Sequence, residues 1–220
     1  MDFITYLIDL VLHVDAHLGA LITAMGPWIY LILFLIVFCE TGLIVTPFLP
    51  GDSLLFAAGT FAGAGLLDLP LLLAILSAAG ILGDAVNYSL GASAGRRILA
   101  SRLNRLIKQE HLEKTSLFYE KHGGKTIILA RFMPIIRTFA PFVAGLGKMA
   151  PSRFFLFNVS GALLWVFLLA GGGYLFGNMP FVQQNFSLVI LLIIILSILP
   201  GVIEYLRHRR TPLRVEAEPE

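Results

Sequence analysis

The chain has 220 residues, of which 57% are hydrophobic and only 14% are charged, and its mean hydropathy is +0.85. A soluble domain devotes about 25% of its residues to Asp, Glu, Lys and Arg, so this composition excludes an ordinary soluble globular protein. The net charge of +2 conceals an asymmetry, since all 16 basic residues lie at or after Arg96, and the single cysteine, Cys39, excludes an internal disulfide. We expect one membrane domain over residues 1–210 and a soluble tail over 211–220.

The first half of the chain consists of apolar segments that acidic residues, prolines and glycines interrupt. Residues 1–24 predict an amphipathic amino-terminal helix, because aspartates recur in this segment at about helical spacing. An apolar run follows over residues 28–38. Segment 43–66 is also apolar, but two prolines and four glycines break it. A long helix rich in small residues is predicted next, from residue 71 to about residue 94.

A basic linker over residues 96–125 separates the two halves. Its arginines and lysines alternate with leucines, a pattern that favours an amphipathic surface for anionic lipid headgroups, with a solvated cytoplasmic linker as the alternative. Segment 126–147 is again apolar, and it contains two prolines. Residues 154–176 and 187–206 have about the length and composition of transmembrane helices.

The distribution of basic residues predicts the topology, because Lys and Arg near membrane spans favour the cytoplasmic side. The linker 96–125, the segment 148–153 and the carboxyl terminus are therefore expected in the cytoplasm. The segment 177–184 has no basic residue and is expected outside. With both flanks in the cytoplasm, residues 126–147 must form a re-entrant hairpin. Counting helices back from the linker makes residues 43–66 a second re-entrant hairpin, which enters from the opposite face.

Two hairpins of opposite orientation predict a pseudo inverted repeat, and the sequence contains a weak internal similarity of that kind. The first half reads Phe48-Leu49-Pro50-Gly51-Asp52-Ser53 and then Ala58-Gly59; the second reads Phe132-Met133-Pro134, then Arg137-Thr138 and Ala144-Gly145. Paired broken segments of this kind point to a transport site at the membrane midplane. We predict an all-α integral membrane fold of polytopic helices with two opposed hairpins, whose tips are formed by Pro50, Gly51, Pro134 and Pro141.

Charged residues inside the broken apolar segments are the candidate site. Each charge at the bilayer centre costs about 2.5 to 3.5 kcal/mol. Two interpretations stay open: the acids and arginines neutralise each other and pin the hairpins together, or they line a water-filled cavity. We favour the cavity, because intramembrane charges are functional by default. The residues are Glu40, Asp52, Arg131 and Arg137, with Asp84 in a fifth such position whose role the sequence leaves open.

The acids and the arginines suit different tasks. Arginine keeps its charge and offers a planar fork of donors for a phosphate group. A carboxyl group in a low-dielectric cavity can instead take up a proton near neutral pH. Glu40 and Asp52 are therefore the candidate proton-coupling pair, and Arg131 and Arg137 are the candidate ligands of an anionic headgroup.

Small and hydroxyl-bearing residues add two further expectations. Ser53 and Thr138 follow the hairpin tips, where they are predicted to cap the returning half-helices, whose amino ends favour anions, and to contribute to the headgroup site. Glycines at i, i+4 spacing predict close helix packing. These pairs are Gly59-Gly63, Gly91-Gly95 and Gly173-Gly177.

No motif for catalysis or cofactor binding accompanies the charges. The chain has no nucleotide-binding loop, no zinc signature and no serine–histidine pair in one apolar setting. His13 and His17 are four residues apart, but a polar helix face explains them better than a metal site. We expect no enzymatic activity, cofactor, metal or nucleic-acid partner. The residues themselves predict an anionic substrate and protons as partners, and a homo-oligomer stays open.

Several motifs along the whole chain resemble the bacterial DedA family. They are Glu40-Thr41-Gly42, Phe48-Leu49-Pro50-Gly51-Asp52-Ser53, Gly83-Asp84-Ala85, and Arg131-Phe132-x-Pro134-x-x-Arg137-Thr138 with Ala144-Gly145. The resemblance implies an inner-membrane protein of the superfamily that also holds eukaryotic VTT-domain lipid scramblases. It further implies a link to translocation of undecaprenyl phosphate or phospholipids and to the proton-motive force. Family-essential acids map onto Glu40 and Asp52, and essential arginines onto Arg131 and Arg137.

The predicted function is therefore membrane transport: proton-motive-force-linked translocation of an anionic lipid, by a flippase or scramblase that supports envelope integrity. The same residues also fit a proton- or cation-coupled transporter of a small solute. A third interpretation is an envelope-organising membrane protein whose charges are purely structural. The expected location is the bacterial inner membrane, with several spans and a cytoplasmic carboxyl terminus.

Overall fold

The computed structural model describes residues 14–43, 51–100, 124–186, 188–193, 195 and 199. All regular secondary structure in these ranges is helical, which confirms the predicted all-α class. The elements are α1 (Val14–Met25), a 3-10 turn (Gly26–Trp28), α2 (Ile29–Gly42), α3 (Gly51–Gly63), α4 (Leu69–Ala100), α5 (Lys125–Ala130), α6 (Pro134–Leu146), α7 (Pro151–Phe176) and α8 (Pro180–Gln184).

Within the described ranges, three apolar stretches are long enough to cross a membrane. They are Leu18–Gly42, Leu69–Ala94 and Pro151–Phe176, with mean hydropathies of 2.3, 2.0 and 2.0. The second and third agree with the predicted helices. The first comprises part of α1, the 3-10 turn and α2, so it overlaps the end of the segment predicted as an amphipathic helix. Gly26, at φ 52°, allows the chain to change direction between α1 and α2.

Several predicted features lie outside the described residues. They are residues 1–13 of the amphipathic helix, the hairpin-tip residue Pro50, most of the linker 96–125, most of the helix 187–206 and the tail 211–220.

Proline begins three of the described helices, α6 at Pro134, α7 at Pro151 and α8 at Pro180. Its missing N–H is harmless in the first helical turn, where the N–H groups have no intrahelical acceptor. Segment 126–147 is broken at residues 131–133, directly before Pro134, as the sequence predicts. Pro141 instead lies inside α6, so its assignment to a hairpin tip is wrong. The helix continues past this proline because α6 packs along α4, and such packing supplies most of a helix's stability.

Two helix pairs, α3 with α7 and α4 with α6, pack most closely. Glycines permit this approach, because an added Cβ would overlap a backbone carbonyl oxygen of the partner helix. Gly59 abuts Ala170 and Gly173 abuts Phe56 in the first pair; Gly91 abuts Phe142 and Gly145 abuts Tyr88 in the second. The predicted role in close helix packing is confirmed for Gly59, Gly91 and Gly173, and Gly145 has the same role without having been predicted.

Hydrogen bonds show which loops share an end of the helix bundle. At one end, the Asp68 N–H donates to Tyr30 Oη at 2.7 Å, and Asn178 donates to the last turns of α3. At the other end, Tyr88 Oη donates to the Met149 carbonyl at 2.5 Å. The start of α2, the end of α3 and the loop after α7 therefore lie at one end. The start of α7 and the later turns of α4 lie at the other.

Candidate functional site

Five charged side chains are buried near one another where α2, α3, α4 and α6 meet. The most exposed of these side chains, that of Asp52, is 11% exposed, although an isolated ionised group is rarely buried so deeply. The helices bring them together from distant parts of the chain: Glu40 and Arg137, for example, are 97 residues apart. This charge cluster consists of Glu40, Asp52, Asp84, Arg131 and Arg137.

The Arg137 subsite contains one guanidinium and two carboxylates. Arg137 Nη2 donates to Glu40 Oε1 at 2.5 Å, and Nη1 donates to Asp52 Oδ1 at 2.7 Å. Glu40 Oε1 also accepts the Gly51 N–H at 3.1 Å, which ties the end of α2 to the start of α3. A Cβ at Gly51 would overlap the Glu40 carboxylate, so this position requires glycine. A single arginine of α6 therefore links the ends of two helices from the first half of the chain.

The Arg131 subsite contains one guanidinium and one carboxylate. Arg131 lies in the turn between α5 and α6, and its Nη2 forms a buried ion pair with Asp84 of α4. The same nitrogen donates at 3.2 Å to the Gly80 carbonyl and at 3.2 Å to Asn158 Oδ1. Asn158 Nδ2 then donates to the Ile81 carbonyl at 3.0 Å. Arg131 is therefore held mainly by the two long helices, α4 and α7.

Trp165 connects the two subsites. Its indole is 1% exposed, and its Nε1–H donates to Asp52 Oδ1 at 2.9 Å. Arg137 Cζ lies 5.0 Å from the ring centroid and Arg131 Cζ lies 5.6 Å from it. Both distances are within the range of cation–π attraction. The aromatic ring therefore stabilises two positive charges and one negative charge at once.

Asn87 braces the backbone around the cluster. Its Nδ2 donates to the Thr138 carbonyl at 2.7 Å and to the Thr41 carbonyl at 3.2 Å, so α4 is bonded to both α6 and α2. Thr138 is buried inside α6 and Ser53 is the third residue of α3. The expectation that Thr138 caps a half-helix is wrong, because α6 already begins at Pro134. Ser53 likewise lies two residues inside the start of α3.

The two subsites differ in formal charge. If every group is ionised, the Arg137 subsite carries one excess negative charge and the Arg131 subsite is neutral. Each subsite also keeps unused hydrogen-bonding capacity, since one oxygen of Glu40, one oxygen of Asp84, Arg131 Nη1 and Arg137 Nε are buried without a hydrogen-bond partner. Buried polar groups normally find partners, so the cluster can accept a proton, a water molecule or another polar ligand. Among the described residues, no three His, Cys, Asp or Glu side chains form a candidate metal site.

The sequence predicted which charges belong to the site, but it did not predict how they pair. Glu40, Asp52 and Arg137 meet as expected. Arg131 was expected to face the same acids and instead pairs with Asp84. Sequence reasoning did not assign Trp165, Asn87 or Asn158 to the site; the available signal was a polar amide or indole within an otherwise apolar helix.

Comparison with known proteins places these residues in a family. Residues 49–175 match the VTT domain family. The chain is 55% identical over 216 residues to protein DedA of Escherichia coli K12, and the aligned region covers 97% of this chain and 99% of that protein. It is 34% identical over 203 residues to inner membrane protein YqjA of the same organism, covering 90% and 91%.

A mycobacterium also has a relative of this chain. An uncharacterized membrane protein of Mycobacterium leprae is 41% identical over 168 residues, covering 76% of this chain and 75% of that protein. No solved structure matches the chain. The extent of the VTT match and the near full-length similarity to E. coli DedA lead to one conclusion: the chain belongs to the DedA family of membrane proteins.

Proposed function

We propose that the protein translocates an anionic lipid phosphate, such as undecaprenyl phosphate or a phospholipid, across the bacterial inner membrane, coupled to protons. One observation carries the proposal: Arg137, fully enclosed by protein, is shared by two carboxylates that come from the other half of the chain. A guanidinium fork binds carboxylate and phosphate oxygens in the same geometry. Glu40 and Asp52 therefore occupy the position that a phosphate group takes when the two halves separate.

The transport cycle follows from this exchange. In the closed arrangement the carboxylates hold Arg137, and no headgroup reaches it because the side chain is 3% exposed. When the halves separate, the lipid phosphate replaces the carboxylates on Arg137 and, in the neighbouring subsite, on Arg131. Ser53 and Thr138, which are buried beside these residues, belong to the same proposed headgroup site. Closure on the other side of the membrane restores the ion pairs and releases the lipid.

Protons couple to the cycle through the excess negative charge. Separation would leave Glu40 and Asp52 without a counter-ion in a poorly solvated cavity, which is costly unless a proton binds. One proton neutralises the excess charge of the Arg137 subsite even before separation. Protonation of the acids therefore favours the open arrangement, and return of the carboxylate favours the closed one.

The glycine contacts support an inverted repeat as the machinery of this movement. At each crossing, a glycine of one helix contacts a backbone carbonyl of the other helix, and the second helix contacts the first in the same way. On each helix, the residue that supplies the carbonyl lies three positions before the glycine. These pairs are Phe56 and Gly59, Phe142 and Gly145, Ala170 and Gly173, and Tyr88 and Gly91. The same three-residue spacing therefore occurs in the two short helices, α3 and α6, and in the two long helices, α4 and α7. Each short helix thus packs on the long helix of the opposite half. We propose that these two crossings are the sliding surfaces between the halves.

The positions of the helix ends support two re-entrant hairpins. α2 starts and α3 finishes at the same end of the bundle, and Gly51 at the start of α3 is bonded to Glu40 in the last turn of α2. α5 and α6 are joined by a three-residue turn at residues 131–133. We propose that both turns, with Pro50 and Gly51 in the first and Pro134 in the second, lie near the bilayer midplane.

Labelling single cysteines in a Cys39→Ser background tests the hairpins. We expect residues near 150, the linker 96–125 and the carboxyl tail to react only from the cytoplasmic side. The loop 177–184 should react from the periplasm. Periplasmic reaction near residue 150 would make segment 126–147 a true span and exclude the hairpin.

Reconstitution in liposomes tests the function. Exchange of labelled undecaprenyl phosphate or phospholipid between leaflets is measured with and without a pH gradient, and the matched control is an Arg137→Gln protein that inserts to the same level. We expect exchange with the wild type and its loss in the variant. Solute or cation flux without lipid exchange would favour the small-solute transporter. If neither occurs, and charge variants lose only folding, the envelope-organising interpretation holds.

A further inference from the structure

An apolar groove opens beside the charge cluster and has no role in the interactions described above. Its volume is about 450 Å³, and its walls are almost entirely hydrocarbon. Aromatic and aliphatic side chains of α3, α7 and the turn after α5 form the part nearest the cluster. Phe56, Phe132 and Leu169 belong to this part, and the wall continues through Leu168, Gly172, Phe176, Val182, Val189, Leu192 and Ile193.

The groove adjoins the charge cluster through three elements. Phe132 directly follows Arg131 in the turn between α5 and α6. Phe56 follows Asp52 by one turn of α3, and Leu169 follows Trp165 by one turn of α7. Since one helical turn rises about 5.4 Å, the apolar walls begin within a few ångströms of the polar residues. A ligand with one charged end and one long apolar end fits this succession of surfaces.

We infer that the groove holds a hydrocarbon chain of the lipid whose phosphate group binds the arginines. This inference rests on the proposed function and extends it, because it assigns a second part of the same ligand to a second surface. The volume lies within the range of about 300–1,000 Å³ that is typical of small-molecule sites. Bulk lipid touches the whole outer surface of a membrane protein, whereas this groove lies beside the buried charges.

Two adjacent glycines make the inference testable. No atom of the described part of the chain lies within 4 Å of a Cβ built on Gly172, and the same is true of Gly171. Only Gly172 lines the groove. Successive helical residues point about 100° apart, so a side chain at position 171 extends in another direction. Replacing either glycine also removes a residue that weakens helices, so neither substitution is expected to impair folding.

The experiment compares Gly172→Phe with Gly171→Phe in liposomes that contain a long-chain lipid phosphate. We expect Gly172→Phe to slow leaflet exchange by about tenfold, which corresponds to about 1.4 kcal/mol, and Gly171→Phe to retain the wild-type rate within about twofold. Thermal unfolding of both purified proteins checks that each is folded. Equal rates for the two folded variants would overturn the inference while leaving the proposed function intact.

A crosslinking measurement keeps the inference falsifiable without any variant. The wild-type protein is irradiated with a lipid phosphate that carries a photoreactive group at the end of its chain. We expect crosslinks to residues 168–176 that excess unlabelled lipid phosphate removes and a neutral lipid of equal chain length does not. Crosslinks spread evenly over the membrane-facing helices, or insensitive to competition, would overturn it. If the wild type moves no lipid at all, the proposed function fails, and the groove inference fails with it.

Discussion

The two arginine subsites use the same kinds of side chain in opposite ways. Arg131 pairs with one carboxylate and otherwise with neutral oxygens, and its partners lie on the long helices α4 and α7. Arg137 pairs with two carboxylates, and both lie at helix ends next to the break between α2 and α3. The first subsite is balanced in charge and anchored to long helices. The second carries an excess negative charge and joins elements that end at the site.

From this difference we expect a structural role for the Arg131 subsite and a role in conformational change for the Arg137 subsite. Protonation does not stabilise a buried ion pair whose charges already balance, and breaking the pair leaves an unpaired charge in an apolar interior. A guanidinium shared by two acids keeps a partner when one acid is protonated, so its surroundings can change at lower cost. We expect Arg131 to hold the second half of the chain on the long helices and Arg137 to exchange its partners during transport.

The largest predicted effect is the difference in the free energy of unfolding between two isosteric substitutions, Asp84→Asn and Glu40→Gln. Asp84→Asn leaves Arg131 without any carboxylate and should lower the free energy of unfolding by about 3–5 kcal/mol. Glu40→Gln leaves Arg137 paired with Asp52 and removes the excess charge, so its effect should be much smaller. Protein abundance in membranes and thermal unfolding in detergent measure both. Equal losses of stability would remove the distinction between the subsites.

A second prediction concerns the geometry of the guanidinium. Arg137 uses two nitrogens to bind two different acids, and lysine offers only one. Losing one charged hydrogen bond costs about 1.5–3 kcal/mol, so lipid exchange by Arg137→Lys should fall by tenfold or more. Arg131 donates through one nitrogen only, so we expect a smaller fall for Arg131→Lys, without full recovery. Full activity of both lysine proteins at normal abundance would show that positive charge alone suffices.

The third prediction concerns pH. Protonation of Glu40 leaves Arg137 with one charged partner instead of two, so wild-type exchange should fall as pH rises and Glu40 loses that proton, by at most about tenfold per pH unit for a single proton. Glu40→Gln cannot gain or lose the proton, and Asp52→Asn removes the excess charge that the proton neutralises, so both exchange rates should respond much less to pH. Vesicle assays across a pH series, normalised to protein amount, measure this. Wild-type pH dependence in both abundant variants would exclude these acids as the proton carriers.

The smallest predicted effect concerns the ring that joins the subsites. Trp165→Phe keeps an aromatic face for the arginines but removes the donor to Asp52. A hydrogen bond to a charged group is involved, so stability should fall by about 1.5–3 kcal/mol at most. Trp28→Phe is the matched control, because Trp28 is 68% exposed and has no bond to the cluster. An unchanged Trp165→Phe protein would mean that the indole hydrogen bond to Asp52 does not contribute to stability.

The sequence alone determined the class of this protein and the identity of its buried charges. Hydropathy is a property of each segment, and the cost of an ion in hydrocarbon depends on the ion and its immediate surroundings. The apolar helices and the burial of Glu40, Asp52, Arg131 and Arg137 inside them could therefore be predicted from the sequence. Proline at the start of α6 was equally readable, because its fixed φ acts locally. Pro141 was misread, since packing on α4 keeps the helix continuous around it.

Only the tertiary structure decided which charges pair and what lies between them. Arg131 and Asp84 are 47 residues apart, and Trp165 and Asp52 are 113 apart. No local pattern specifies such contacts, because they depend on which helix faces meet. That choice is made by the glycine-lined crossings of α3 with α7 and α4 with α6, where backbones approach only if no Cβ intervenes. Once those crossings form, side chains of α4 and α7 lie within reach of Arg131, and Trp165 of α7 lies within reach of both arginines.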